Sequence, residues 1–302
     1  MTVFHWGELE AQARAGFSER AAGVSRLVKP TLPGGADEFL AEQNMLVVGA
    51  QADDGRLWAS LFTGPPGFLG APDDTTVEVL GRLAAADPVE PMTRREGRLG
   101  LLAIDLETRI RLRMNGAARP LPYGLSLTID QSFPNCPKYI QKRSVAGLGD
   151  GEPGETSRVS ELTGEVGRLV TRADTFFVAS ASENGDPDVS HRGGNPGFVE
   201  LLSPTRLRWP DYVGNSMLMT IGNFTENPYA GLVFLDWQTG TTLHLTGSAA
   251  VRWADDGSRS VEFDLDEAVL LPRHLSTNWS APALSRHNPP VTRPAPGAAR
   301  PA

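Results

Sequence analysis

Ser190-His191-Arg192-Gly193-Gly194, running on into Asn195-Pro196-Gly197-Phe198, is the stretch of this chain best equipped to hold an anion. An arginine fork matches phosphate oxygens, a hydroxyl adds a donor, and glycines let backbone N–H groups come close. The same residues also suit a plain turn whose glycines only permit positive φ, with Arg192 solvated, and the motif alone leaves both readings open. A second candidate is Trp209-Pro210-Asp211-Tyr212-Val213-Gly214 followed by Asn215-Ser216-Met217-Leu218-Met219-Thr220-Ile221-Gly222-Asn223. Here Asn215, Ser216, Thr220 and Asn223 recur at near-helical spacing beside an apolar set, as in a helix that holds a flat polar ligand; the alternative is a capping segment with Asn215 or Ser216 as N-cap. A third is Asn135-Cys136-Pro137-Lys138-Tyr139-Ile140-Gln141-Lys142-Arg143, which offers cations, a stackable Tyr139 and the Gln141 amide. These could complement a phosphate or a ring edge, or form a solvated basic helix start with Pro137 in its first turn. Cys136 has no histidine near it in sequence and reads as a structural thiol rather than a nucleophile.

Absences narrow the chemistry. No Gly-x-Gly-x-x-Gly joins a strand to a helix, and neither a Walker-type Gly-Lys-Ser/Thr nor a His-Glu-x-x-His occurs, which argues against a Rossmann enzyme, a P-loop NTPase and a zinc protease. The histidines His5, His191, His244, His274 and His287 are scattered, so no metal site is expected. A net charge of -8 and a pI near 5.2 disfavour a nucleic-acid partner bound through a broad basic face and leave a small anionic ligand as the better fit. One cysteine rules out an intrachain disulfide framework. With no membrane-length apolar run and no signal pattern at the N-terminus, the expectation is a soluble cytoplasmic protein without a membrane partner.

The elements that must position these residues are short strands. Apolar runs of four to eight residues, bounded by Asp-Gly, Asn-Gly and Gly-Pro signals, read as strands and hairpins of small barrels. The chain also repeats itself: Ala59-Ser60-Leu61-Phe62-Thr63-Gly64-Pro65-Pro66-Gly67-Phe68 carries the Ser, Gly and Pro-Gly-Phe frame of the Ser190 stretch, and Gly100-Leu101-Leu102-Ala103-Ile104-Asp105 matches Gly231-Leu232-Val233-Phe234-Leu235-Asp236. We expect one fold built twice by internal duplication. The expected divisions are a helical arm over 1–36, a first barrel over 37–146, a Gly-rich linker over 147–158, a second barrel over 159–272 and a disordered Pro-rich tail over 273–302. Only the second copy keeps His191 and Arg192; the first has Leu61 and Phe62.

Taken together, Asp188 to Phe198, Trp209 to Asn215, Gly222-Asn223 and Gly231 to Asp236 resemble the pyridoxamine 5′-phosphate oxidase-like FMN-binding split-barrel family. Asn135 to Gln141, with His5-Trp6-Gly7-Glu8 and Gln12-Ala13-Arg14-Ala15-Gly16, resembles a bacterial branch that carries two tandem barrels. The resemblance implies a mainly β protein with a few helices, made of two six-stranded Greek-key split barrels with FMN held where they meet. It implies Ser190 and Arg192 at the phosphate, Asn215, Ser216 and Thr220 along the ribityl chain or phosphate, and Lys138, Tyr139 and Gln141 approaching from the other barrel, with His191, Asn223 and Arg143 also among the cofactor-binding residues. The family's Ser-Arg-Lys helix start is absent, since Met217 and Leu218 follow Ser216, so the family's substrate does not carry over. The function implied is an FMN-dependent oxidoreductase acting on a small molecule, with a nicotinamide or protein electron donor. A flavin-storage protein without turnover, a deazaflavin-dependent reductase and a haem-handling protein are its rivals, and pairing of two chains as a homodimer stays open.

Overall fold

The computed structural model describes residues 3–148 and 152–291. Three helices make the N-terminal arm: α1 (Trp6–Arg14), α2 (Ser18–Ser25) and α3 (Ala36–Ala41). The first half continues with β1 (Met45–Gln51), β2 (Leu57–Thr63), β3 (Leu69–Asp73), β4 (Thr76–Leu80), α4 (Glu90–Thr93), β5 (Gly97–Asp105), β6 (Ile110–Leu121) and β7 (Gly124–Pro134). After β8 (Val145–Leu148) and β9 (Ser157–Val159), the second half holds α5 (Gly164–Arg172), β10 (Thr175–Ala181), β11 (Pro187–Gly193), β12 (Glu200–Ser203), β13 (Arg206–Pro210), α6 (Met219–Glu226), β14 (Tyr229–Leu235), β15 (Thr242–Trp253) and β16 (Arg259–Leu271), and then β17 (Thr277–Trp279).

The two halves share one strand order. The first sheet runs β2-β1-β5-β6-β7-β4-β3 and the second β11-β10-β14-β15-β16-β13-β12. The opening hairpins turn at Gly55 (φ 86°) and Gly185 (φ 80°), where Asp-Gly and Asn-Gly supply the left-handed residue a tight turn needs. Each sheet wraps its own apolar cluster. Leu46, Val48, Trp58, Val77, Leu101, Met114 and Leu127 meet inside the first, and Phe176, Val178, Trp209, Leu232, Leu245 and Phe263 inside the second.

Strand alternation sends the neighbouring residues the other way. Met45, Val47, Leu61 and Leu102 meet Phe177, Ala179, Val189 and Val233 in a third cluster that joins the two barrels. Strands buried on both faces read as continuous apolar runs, which is why β1, β2, β10 and β14 carry so few polar residues. The backbones come close at this junction. A Cβ on Gly100 would lie 2.7 Å from the Pro187 carbonyl oxygen, and one on Gly231 would lie 2.5 Å from Trp58 Cα.

The structure revises several expectations. The mainly β character holds, but the main sheets have seven strands rather than six, and β9 adds an eighth to the second by pairing with β16. The 147–158 stretch is not all loop: β8 reaches into it and β9 starts within it, because β8 pairs with β17 and β9 with β16. Residues 149–151 of that stretch lie outside the described residues. The segment 273–291 is ordered, since Trp279 packs edge-on against Trp237 at 5.3 Å and β17 pairs with β8; the rest of the expected disordered tail, 292–302, lies outside the described residues. Among the described residues no helix is long and apolar enough to cross a membrane.

Replacing Gly100 with Ala forces a methyl group into the barrel junction. We expect a loss of about 1–3 kcal/mol, measured by chemical denaturation.

Candidate functional site

Strand β6 places Leu112 and Met114 in the first barrel's core, so Arg111, Arg113 and Asn115 face the opposite way, toward the second barrel. Strand β11 meets them with Asp188, Ser190 and Arg192 on one face. Arg113 is buried and crosses the junction: Nη1 lies 2.9 Å from Asp188 Oδ1, and Nη2 donates to Ser190 Oγ. Asn115 Nδ2 also donates to Asp188 Oδ1, at 2.6 Å, and Asn223 Nδ2 donates to Oδ2 at 3.1 Å. Thr220 donates to Ser190 Oγ at 3.0 Å. Ser190 therefore accepts two hydrogen bonds and keeps its own proton to donate.

These residues edge a cleft of about 840 Å³, counting the open solvent at its mouth. Arg111, Arg113, Arg192 and Lys138 line it, and Asp211 is the lining carboxylate. Asp211 is engaged elsewhere: it sits 2.9 Å from Arg259 and 3.9 Å from Arg192. The buried Nε atoms of Arg113 and Arg192 have no partner. Burial, with Arg113 and Arg192 nearby, pushes the Arg111 guanidinium down to about 9. Burial also lowers Arg192, with Asp211 opposing and Arg113 adding to the effect. His191 falls well below the usual imidazole range, first through burial and then through Arg111, Arg192 and Arg143, so its ring is neutral. Cations crowded out of water beside unsatisfied donors favour an anion.

The start of α6 opens on the same cleft through Leu218, Met219 and Thr220. First-turn N–H groups lack intrahelical acceptors and add to its positive field. The polar spacing from Asn215 suggested a longer helix, but Ser216 (φ 68°) and Leu218 (φ 54°) take left-handed backbone and delay it to Met219. Asn215 instead closes a local turn, its Oδ1 accepting from the Met217 N–H at 3.1 Å. The opposite wall comes from the first barrel, where Tyr139 lies 5.1 Å from Tyr212 between ring centroids and donates its hydroxyl to the Val213 carbonyl at 3.0 Å.

Of the residues singled out from sequence, Ser190, His191, Arg192, Asn215, Ser216, Thr220, Lys138 and Tyr139 line this cleft. Three do not. Gln141 is buried with its amide on the carbonyls of Tyr139, Asp174 and Gly194 and its Oε1 holding the Ser285 N–H, so it fastens the C-terminal segment. Arg143 pairs with Asp174 at 2.7 Å under Trp237. Asn223 works behind the wall, on Ser180 and Asp188. Arg111 and Arg113 were missed, although charge alternating with apolar residues in Ile110-Arg111-Leu112-Arg113-Met114 marks a strand that sends both guanidiniums to one face. Cys136 also lines the cleft, and its carbonyl accepts from Arg111 Nε at 3.0 Å.

Helix α1 braces this arrangement from behind. A Cβ on Gly222 of α6 would lie 2.5 Å from Glu8 Cα, so the two helices touch backbone to backbone. His5 bonds Glu226 at 2.7 Å and Asn223 at 2.9 Å. Glu8 is buried beneath, and burial outweighs its attraction to His5 and pushes its carboxyl up to about 7.

Residues 162–271 match the family model described as pyridoxamine 5′-phosphate oxidase. The match spans the second barrel. Among curated proteins the sequence finds no match. Among solved structures, HupZ of Group A Streptococcus is similar at 11% identity, over 34% of this chain and 90% of that one, with a TM-score of 0.29. HutZ of Vibrio cholerae, titled a heme storage protein, is similar at 11% identity, over 36% and 92%, with a TM-score of 0.29. A Clostridium acetobutylicum protein related to general stress protein 26, of the pyridoxinephosphate oxidase family, is similar at 16% identity, over 38% and 91%, with a TM-score of 0.28. Likenesses this weak say nothing about what this chain binds.

Two outcomes follow from the packing behind the cleft. Arg113→Met strands the buried Asp188 carboxylate and should cost about 3–5 kcal/mol in a denaturant titration. Glu8 has a raised folded-state pKa, so its contribution to stability is fully present below its ordinary value of 4.5 and is lost as pH rises through about 7. Glu8→Gln should flatten that decline when unfolding is followed across the same pH range.

Proposed function

We propose that this chain is an FMN-dependent oxidoreductase that binds the flavin phosphate in the cleft between the barrels. The observation that carries the reading is the set of Arg111, Arg113, Arg192 and Lys138 around unpartnered guanidinium N–H groups, with one lining carboxylate already held by Arg259. The fit to a phosphate monoester is chemical: guanidinium forks, the Ser190 hydroxyl proton and the first N–H groups of α6 all donate, and a dianion would offset the crowded charge. Tyr139 and Tyr212 supply flat apolar faces at the opposite wall.

When bound, the flavin supplies the redox chemistry. The chain's own residues bind and orient. Arg113 and Ser190 fix the phosphate end because Asp188 and Thr220 already fix them, and α6 holds the wall against the second barrel. His191, kept neutral, holds no charge against the surrounding guanidiniums. It is the histidine of the wall, and its Nε2 is buried and unpartnered. A haem reading would rest on that ring, whereas the flavin reading uses the cations around it. We take the substrate to be a small molecule and the electron donor a nicotinamide or a protein. The single cysteine fits a reducing compartment, and we place the protein in the cytoplasm.

Purified protein should show a flavin spectrum and release FMN on denaturation; colourless protein that takes up no added FMN would refute the proposal. Arg192→Ala and Arg111→Ala should each weaken FMN binding about 10- to 100-fold, the worth of one charge-assisted hydrogen bond, read by fluorescence titration. Reduction of the bound flavin by NADH or NADPH separates turnover from storage. Loss of the cofactor on gel filtration would favour a deazaflavin used as a diffusing substrate.

A further inference from the structure

The first barrel holds a counterpart of each part of the cleft in the same register. Val48 pairs with Ser60 as Val178 pairs with Ser190, and Leu46 with Phe62 as Phe176 with Arg192. Leu102 pairs with Arg113 and Val233 with His244, so His244 stands on β15 where Arg113 stands on β6. Arg113 next pairs with Phe133 and His244 with Val269. Five residues beyond these partners come Lys138 and His274. The connection from β4 to β5 carries Asp87 and α4, where the connection from β13 to β14 carries α6.

In this second place the donors are already partnered, and three of them share one group, Asp87. Ser60 donates its hydroxyl to Asp87 Oδ2, the Val89 N–H at the start of α4 donates to Oδ1 at 2.8 Å, and His274 Nε2 lies 3.3 Å from Oδ2. His244 reaches across the junction as Arg113 does, its Nδ1 2.9 Å from the Ala59 carbonyl, and its Nε2 lies 2.8 Å from Thr242 Oγ1. Burying a carboxylate is costly unless its surroundings were arranged for a negative charge. Although burial opposes it, the Asp87 carboxyl stays below its ordinary range, held there by His244, His274 and Ser60. Among the described residues no three His, Cys, Asp or Glu side chains are arranged to hold a metal.

We infer that Asp87 is a built-in anion: its carboxylate fills, in the Ser60 copy of the site, the place of a bound phosphate, so the chain takes one phosphate ester, at the Ser190 copy. The inference rests on the phosphate reading of the Ser190 cleft. Phe62 and the Asp87 side chain stand in the Ser60 copy where Arg192 and the start of α6 stand in the other, and His244 and His274 take the places of Arg113 and Lys138.

The test is chemical rescue. Asp87→Gly, made in an Arg192→Ala background so that the Ser190 cleft contributes little, should melt several degrees below its parent. Sodium acetate or inorganic phosphate should restore the loss, and sodium chloride of equal ionic strength should not; equal effects of all three salts would overturn the inference. Should that variant be insoluble, Asp87→Asn decides, since it keeps the shape without the charge: it should melt below wild type, and a melting point equal to wild type would overturn the inference. Wild-type protein titrated with FMN should saturate at one equivalent per chain, and two equivalents would also overturn it. Failure to bind any FMN removes the flavin reading, while the rescue experiment still decides the place of Asp87.

Discussion

The ion pair between Arg113 and Asp188 is the interaction on which the site depends. Both side chains are buried, and they come from different barrels. A guanidinium taken from water needs a counter-charge held in good geometry, and Asp188 is held by Asn115 and Asn223 as well as by Arg113. The apolar junction brings the barrels together, but it is non-directional. The charged pair fixes which residues face each other across it. Because Arg113 is oriented by the protein before any ligand arrives, it lines the cleft without further ordering.

Much of the fold was legible in the sequence because its signals are local. Gly55 and Gly185 marked hairpin turns, and strands buried on two faces showed as unbroken apolar runs. The Ser60 and Ser190 frames marked corresponding edge strands. The additional strands were not legible, since β8, β9 and β17 are short and form only by pairing with a distant segment, β9 with β16 and β8 with β17. The same holds for the order of the 273–291 segment, whose composition is that of a tail but whose Trp279 finds Trp237.

The candidate site divides along the same line. Ser190 and Arg192 could be seen because glycines flanked them. Gln141 and Arg143 sit close in sequence to the cleft-lining Lys138 and Tyr139, yet the chain turns at Tyr139 (φ 65°) and carries them behind the wall. Arg111 and Arg113 sit on an ordinary-looking strand. Only the partner barrel turns that strand's outer face into the floor of a cleft, so charge alternation in one strand had no meaning until the opposing surface was known. The two barrels also differ at matching register positions: where the second has Asp188 to hold Arg113, the first has Trp58, and the residue that stands on β15 as Arg113 stands on β6 is His244.

The docking of α1 on α6 bears on how the molecule is made. His5 and Glu226 are 221 residues apart in sequence, and the Gly7 and Gly222 backbones meet between them. On a ribosome the arm emerges first, yet its seat does not exist until most of the second barrel has been synthesised. Helix α1 must therefore wait, with its apolar Ala11 uncovered, until the second barrel's core is built. Closure of the arm is a late, long-range event, and it finishes the support of the cleft wall. Translation order thus makes the completed site a report that both barrels have been built.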